Sequence, residues 1–202
     1  MPAVQPNKTP HSQAFAIRAL ATIVAVAVLG LVAFMVTSAP IRPRAALIGG
    51  AFSLQDGGGK TVSDETLRGR PFLVYFGYTH CPDVCPTELA RISDVLTEMG
   101  DKSIPALFIT IDPERDTPKI MRDYVGSFNP AIVGLSGSRQ AVEAAEKAYR
   151  VFARKGPLQA DGDYAMDHSS IIYLMDKNGA FIEAFNLERP PKDAAKALER
   201  YL

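Results

Sequence analysis

The feature that most restricts how this chain can fold is the apolar run FLVYF at 72–76, which leads through Gly77 and Tyr78 into THCPDVCP at 79–86. A continuous stretch of β-forming residues reads as a strand buried on both faces. The spacing then changes to helical, with Leu89, Ile92, Val95 and Leu96 on one face and Gly100 as the stop. A second buried run, ALFITI at 106–111, follows. The two cysteines therefore stand at a strand-to-helix junction between central strands of an α/β sheet.

The rest of the chain extends that order. Residues 51–54 and 60–63 flank three glycines at 57–59 and predict a hairpin. Thr117-Pro118 starts a helix running to about 127, residues 131–135 form a short strand, and 138–149 a helix. A strand at 169–175, a turn at 176–179, a partner strand at 180–184 and a helix at 191–202 complete it. The expectation is an α/β domain of thioredoxin-like layout, with an extra N-terminal hairpin and an inserted hairpin, preceded by one transmembrane helix.

That helix is read from residues 19–37, which contain no charge and are long enough to cross a hydrocarbon layer of about 30 Å. An uncleaved anchor fits better than a signal peptide, whose apolar core is shorter. The organisation is then a tail at 1–18, an anchor at 19–37, a proline-stiffened linker at 38–47 and a folded domain at 48–202. Lys8 and Arg18 before the span balance Arg42 and Arg44 after it, so loop charge does not orient it. Residues 1–44 hold those four bases and no acid. The remainder keeps 18 of the 22 bases and all 22 acids, a net charge of −4 that excludes a nucleic-acid partner. One arginine within residues 1–18 makes a poor transit peptide, which favours a bacterial inner membrane over a mitochondrial one.

Cys81 and Cys85 are the only cysteines. Four positions apart at a helix start, their side chains share a face, close enough to bridge, to cycle between dithiol and disulfide, or to hold a metal. A purely structural disulfide gains little from so small a loop. Unpaired N–H groups of the first turn would favour a thiolate. A metal needs a third ligand. Of the three histidines, His11 precedes the apolar span and His80 adjoins Cys81 and points elsewhere. His168, in a polar loop entering a strand, remains, with Met166 as a spare ligand or ordinary core. Two sulfurs and an imidazole suit Cu(I), and Cu(II) with a further oxygen ligand; zinc is the chief rival but normally takes four protein ligands in a structural site.

YFGYTHCPDVCPTELA at 75–90, ITIDPERDTP at 109–118 and DYAMDHSSIIYLMDKNG at 163–179 resemble the Sco/SenC family in order and spacing, over essentially all of 48–202. The resemblance implies a membrane-anchored, thioredoxin-like copper protein in which Cys81, Cys85 and His168 bind one copper, as Cu(I) or Cu(II). It implies work on the copper A centre of cytochrome c oxidase, by delivering copper to subunit II or a similar acceptor, or by reducing the acceptor's cysteines. A copper donor or thiol reductant would act upstream, and the domain would face the periplasm, or the intermembrane space in a mitochondrion. Two rival readings use the same residues: a metal-free thiol-disulfide oxidoreductase or peroxidase with Cys81 and Cys85 as redox pair, and a copper or redox sensor. Asp112, at a strand end beside the cysteine loop, is read as a turn residue or a support for the site. Asp163 or Asp167 could orient His168, and Asp83 could tune local charge. Gly57-Gly58-Gly59-Lys60-Thr61 imitates the end of a phosphate-binding loop, but Leu54 replaces the required glycine and a strand follows.

Overall fold

The computed structural model describes residues 17, 18, 20, 21, 23–31, 48–160 and 162–202. The chain divides into two compact units, 1–44 and 45–202. In the first, the described residues from 17 to 31 are helical, with Leu20, Ile23, Val26 and Leu29 exposed. The remainder of the expected 19–37 span lies outside the described residues. Among the described residues no helix is long and apolar enough to cross a membrane.

Among its described residues the second unit has nine strands and four α-helices. In chain order these are β1 (Ser53–Asp56), β2 (Thr61–Ser63), β3 (Phe72–Gly77), α1 (Val84–Met99), β4 (Ala106–Thr110), α2 (Pro118–Val125), β5 (Ile132–Ser136) and α3 (Arg139–Tyr149). They continue as β6 (Ala153–Lys155), β7 (Met166–His168), β8 (Ile172–Met175), β9 (Phe181–Ala184) and α4 (Pro191–Glu199). Seven strands form one mixed sheet in the order β2-β1-β5-β4-β3-β8-β9, with β3, β4 and β5 parallel and the others antiparallel to their neighbours.

Burial explains the centre of that sheet. Every residue of β3 and β4 is buried, so their unbroken apolar runs have no wet face to pattern. Tyr75, Phe76, Leu107 and Phe108 are at most 2% exposed, and each buried side chain of this size contributes about 1.5–3 kcal/mol. Polar groups set the helix starts: Thr117 Oγ1 accepts the Ile120 N–H and Ser138 Oγ accepts the Ala141 N–H. Leu89, Ile92, Leu96 and Met99 bury one face of α1, which packs on α4.

Two details differ from the sequence expectation. The strand expected from 169 begins at Ile172. The residues read as a polar loop before it contain β7, which pairs antiparallel with β6 in a separate two-stranded sheet, Ala153 opposite His168. Strands of three residues with charged members lack the alternation that reveals a strand in sequence.

Candidate metal centre

β3 carries the chain to Gly77, and the following turn is closed by the Cys81 N–H on the Tyr78 carbonyl, 3.3 Å. Asp116, wholly buried, secures this turn: it accepts the Thr79 N–H at 3.0 Å, the Thr79 hydroxyl at 2.5 Å and the Thr110 hydroxyl at 2.7 Å. Helix α1 then begins, placing Cys85 as its second residue. The Cys85 N–H donates to Cys81 Sγ at 3.4 Å, one of the first-turn donors that an α-helix leaves without a backbone partner.

His168 ends β7 and brings Nε2 to 3.8 Å from Cys85 Sγ. The ligand atoms of Cys81, Cys85 and His168 all lie within 4.8 Å of one another, the one such group of three among the described residues. Both cysteines are free thiols, Cys81 half-buried and Cys85 buried. His168 Nδ1 lies 3.0 Å from the Ser169 carbonyl. A carbonyl only accepts, so Nδ1 carries the proton and the Nε2 lone pair faces the sulfurs. The orienting group is thus a backbone oxygen. Asp163 instead pairs with Arg115, and Asp167 with Arg154.

The electrostatics depart from expectation at Cys85. Burial pushes its thiol up to about 12, against a backbone hydrogen bond from Tyr78 that favours the thiolate. Helix-start donors therefore do not make Cys85 a thiolate by themselves; desolvation of the charge outweighs them. Burial also lowers the pKa of His168, against its bond to Ser169, which keeps the imidazole neutral and able to ligate.

Close packing fixes the buried sulfur. A Cβ on Gly77 would stand 2.7 Å from Cys85 Sγ and 2.7 Å from Phe108, so only glycine fits there. Tyr78 meets the His168 ring edge-on at 5.9 Å, and its hydroxyl accepts the Met166 N–H at 3.3 Å. Met166 is buried in the core and lines the cleft over the site, a hollow of about 320 Å³ shared with Cys81, Pro82, Asp83, Val84 and His168. His80 stays outside the group: its Nδ1 is 3.1 Å from the Thr79 hydroxyl. His11 lies outside the described residues. Asp112 is wholly buried, beyond a plain turn residue, and binds Arg115 and Tyr164. Sequence reasoning passed over Gly77, Arg115, Asp116 and Tyr164. ERD at 114–116, a charged triplet directly after a buried strand, was the available signal for two of them.

The donor set fits one soft ion: two sulfurs and a neutral imidazole nitrogen lie close together, and Cys81 and His168 line the cleft.

Comparison with known proteins gives the same direction. A family model described as SCO1/SenC matches residues 42–202. The mitochondrial protein SCO1 homolog of Homo sapiens is 39% identical over 160 residues, 77% of this chain and 53% of that protein. The SCO2-like protein of Rickettsia felis is 39% identical over 75% of this chain and 76% of its own length. The chain spans about half the length of the first curated relatives it matches, between 47% and 58%. Among solved structures, Bradyrhizobium japonicum ScoI with copper bound is 53% identical with a TM-score of 0.74, covering 77% of this chain and 99% of that one. Yeast Sco1 with copper bound is 37% identical with a TM-score of 0.69, over 75% and 87%.

Proposed function

This chain belongs to the SCO1/SenC family, and from that premise we propose that it is a membrane-tethered copper-binding assembly factor for cytochrome c oxidase. It holds one copper per chain through Cys81, Cys85 and His168 and serves the copper A centre of subunit II or a similar acceptor. The observation that carries this reading is the grouping of two sulfurs and one imidazole nitrogen within 4.8 Å. Its support from relatives is that ScoI of B. japonicum and Sco1 of yeast were solved with copper bound.

Copper is the cargo, and its reduced ion prefers sulfur and imidazole donors. Cys85 must give up its proton to ligate, and its buried place, walled by Gly77 and Phe108, fixes one sulfur. Cys81 and His168 line the open cleft, so an acceptor's ligands reach the cargo from that side and exchange with them. The domain faces the periplasm from the bacterial inner membrane.

A second route uses the same sulfurs without metal. In the dithiol form Cys81 is the more accessible sulfur and accepts the Cys85 N–H at 3.4 Å, which makes it the attacking one. Cys81 attacks an acceptor disulfide and forms a mixed disulfide, releasing one acceptor thiolate. Cys85 then displaces the second, leaving a Cys81–Cys85 disulfide and an acceptor dithiol; the two electrons come from the pair, which an upstream thiol reductant restores.

The test is copper stoichiometry and the visible spectrum of the reduced protein beside His168→Ala and Cys81→Ser/Cys85→Ser. One copper per chain with sulfur-to-copper charge-transfer bands, weakened in the first variant and absent in the second, is expected. No uptake above background together with disulfide reduction would replace the copper role by the oxidoreductase one.

A further inference from the structure

The three donors arrive from two separately built parts of the domain. Cys81 and Cys85 hang from the β3–α1 junction, secured by Asp116. His168 ends the β6–β7 pair, which joins no strand of the seven-stranded sheet among the described residues. Something must fix one part against the other, because ligands have to be held within about 0.5 Å of productive geometry.

We propose that Asp112, Arg115 and Tyr164 form a clamp that sets where His168 stands relative to the two sulfurs; this rests on the copper reading above. They are positioning residues and do not ligate. Asp112 is fixed and wholly buried just beyond the end of β4. Arg115, also largely buried, donates from Nε to Asp112 Oδ2 at 2.5 Å, and from Nη1 to Asp163 Oδ1 at 2.5 Å and to the Tyr164 carbonyl at 2.9 Å. The Tyr164 hydroxyl returns to Asp112, donating to Oδ1 at 2.9 Å. Thus Asp112, just beyond a strand of the main sheet, holds Tyr164 directly and, through Arg115, both Tyr164 and Asp163, the residues four and five positions before His168.

Ring contacts carry the hold onward. The Arg115 guanidinium lies 3.6 Å from the centre of the Tyr164 ring and 5.7 Å from that of Tyr78. Tyr78 in turn touches the His168 ring edge-on and accepts the Met166 N–H. From the β6 side, Lys155 sits 3.8 Å over the Tyr164 ring and bonds Glu114 at 2.9 Å. A guanidinium fork can hold Asp112, Asp163 and a carbonyl together; an ammonium on a flexible stem cannot reproduce that geometry.

A merely structural bond would lower stability without singling out His168. The cysteine turn has its own anchor in Asp116, so losing the clamp frees the imidazole and leaves the sulfurs in place. The experiment uses the full 202-residue chain with Tyr164→Phe and Arg115→Lys, each alone and combined with His168→Ala. Tyr164→Phe keeps the ring beneath Arg115 and removes one hydroxyl, and Arg115→Lys keeps the charge. Copper affinity is expected to fall roughly tenfold in either single variant and by less than about twofold when His168 is already alanine. In the copper-free protein, the NMR signals of the His168 ring are expected to shift or broaden while the Cys81 and Cys85 amide signals stay. Equal losses in both backgrounds, or unchanged His168 ring signals, would overturn the clamp. A wild type that takes up no copper sinks the copper reading alone, since the ring signals still decide whether the clamp positions His168.

Discussion

Gly77 is where one methyl group separates a working site from a displaced one. Its Cβ would lie 2.7 Å from both Cys85 Sγ and Phe108, closer than side chains approach. Gly77→Ala must therefore move the sulfur, the ring or the strand end, at a cost of about 1–3 kcal/mol from overpacking. The expected result is a lower melting temperature together with an altered copper spectrum; a destabilised protein with a wild-type spectrum would show that Phe108 gave way instead. Cys85 supplies a second prediction. With its pKa near 12 the residue is a thiol at pH 7, and ligation requires the thiolate, so copper binding should release at least one proton. His168, with a lowered pKa, is already neutral there and adds none. Affinity thus falls as pH falls. Calorimetric titration in buffers of different ionisation enthalpy measures the release, and Cys85→Ser should remove the Cys85 share. The grouping of Cys81, Cys85 and His168 was legible in the sequence, because two cysteines and one suitably placed histidine leave few choices. The protonation state of Cys85 was not, since helix position suggests a thiolate and only the packed fold reveals the burial that reverses it.

At the scale of elements, periodicity and capping located the sheet and the helices well. Phe72–Gly77 and Ala106–Thr110 announce themselves by unbroken apolar runs, and Thr117 and Ser138 mark helix starts through their own hydroxyls. β6 and β7 escaped because their pairing depends on tertiary anchors: Arg115, Tyr164 and Tyr78 place a short segment whose own residues, Ala-Arg-Lys and Met-Asp-His, carry no strand signal. Helix α3 holds a different element-level effect. Burial pushes the Glu146 carboxyl up to about 7; Arg139 opposes this and Glu143 adds to it. Below its ordinary value of 4.5, folded and unfolded chains are both protonated there and the residue costs nothing. Between 4.5 and about 7 the unfolded chain ionises first, so stability declines with rising pH, and the full cost remains above 7. Glu146→Gln should then stabilise the protein at pH 8 by about 1–2 kcal/mol after allowance for solvent screening, and change little at pH 4. Urea unfolding at the two pH values checks it. A gain of the same size at both would mean that ionisation is not the cause.

For the whole molecule, two kinds of surface decide whether it attaches to a membrane. The unit at 45–202 has its own core, centred on β3 and β4, and residues 45–202 carry a net charge of −4. An acidic domain is repelled by anionic lipid, so it offers no electrostatic route to a bilayer. The unit at 1–44 brings four bases and the uncharged run at 19–37, and Leu20, Ile23, Val26 and Leu29 are each more than 60% exposed. Apolar surface of that kind in water is unfavourable and seeks cover. If lipid provides it, attachment is hydrophobic and should survive salt; if the four bases provide it, 1 M salt, where the screening length is about 3 Å, should abolish it. The full chain is therefore expected to co-sediment with vesicles equally at 0.1 M and 1 M salt, and residues 45–202 alone to remain in solution at both. Because the core belongs to the second unit, the truncated protein should also melt within about 2 °C of the full chain, a difference of at most about 1 kcal/mol. Salt-released binding would assign attachment to Lys8, Arg18, Arg42 and Arg44 in place of the apolar run, and a large drop in melting temperature would mean that the first unit supports the fold of the second.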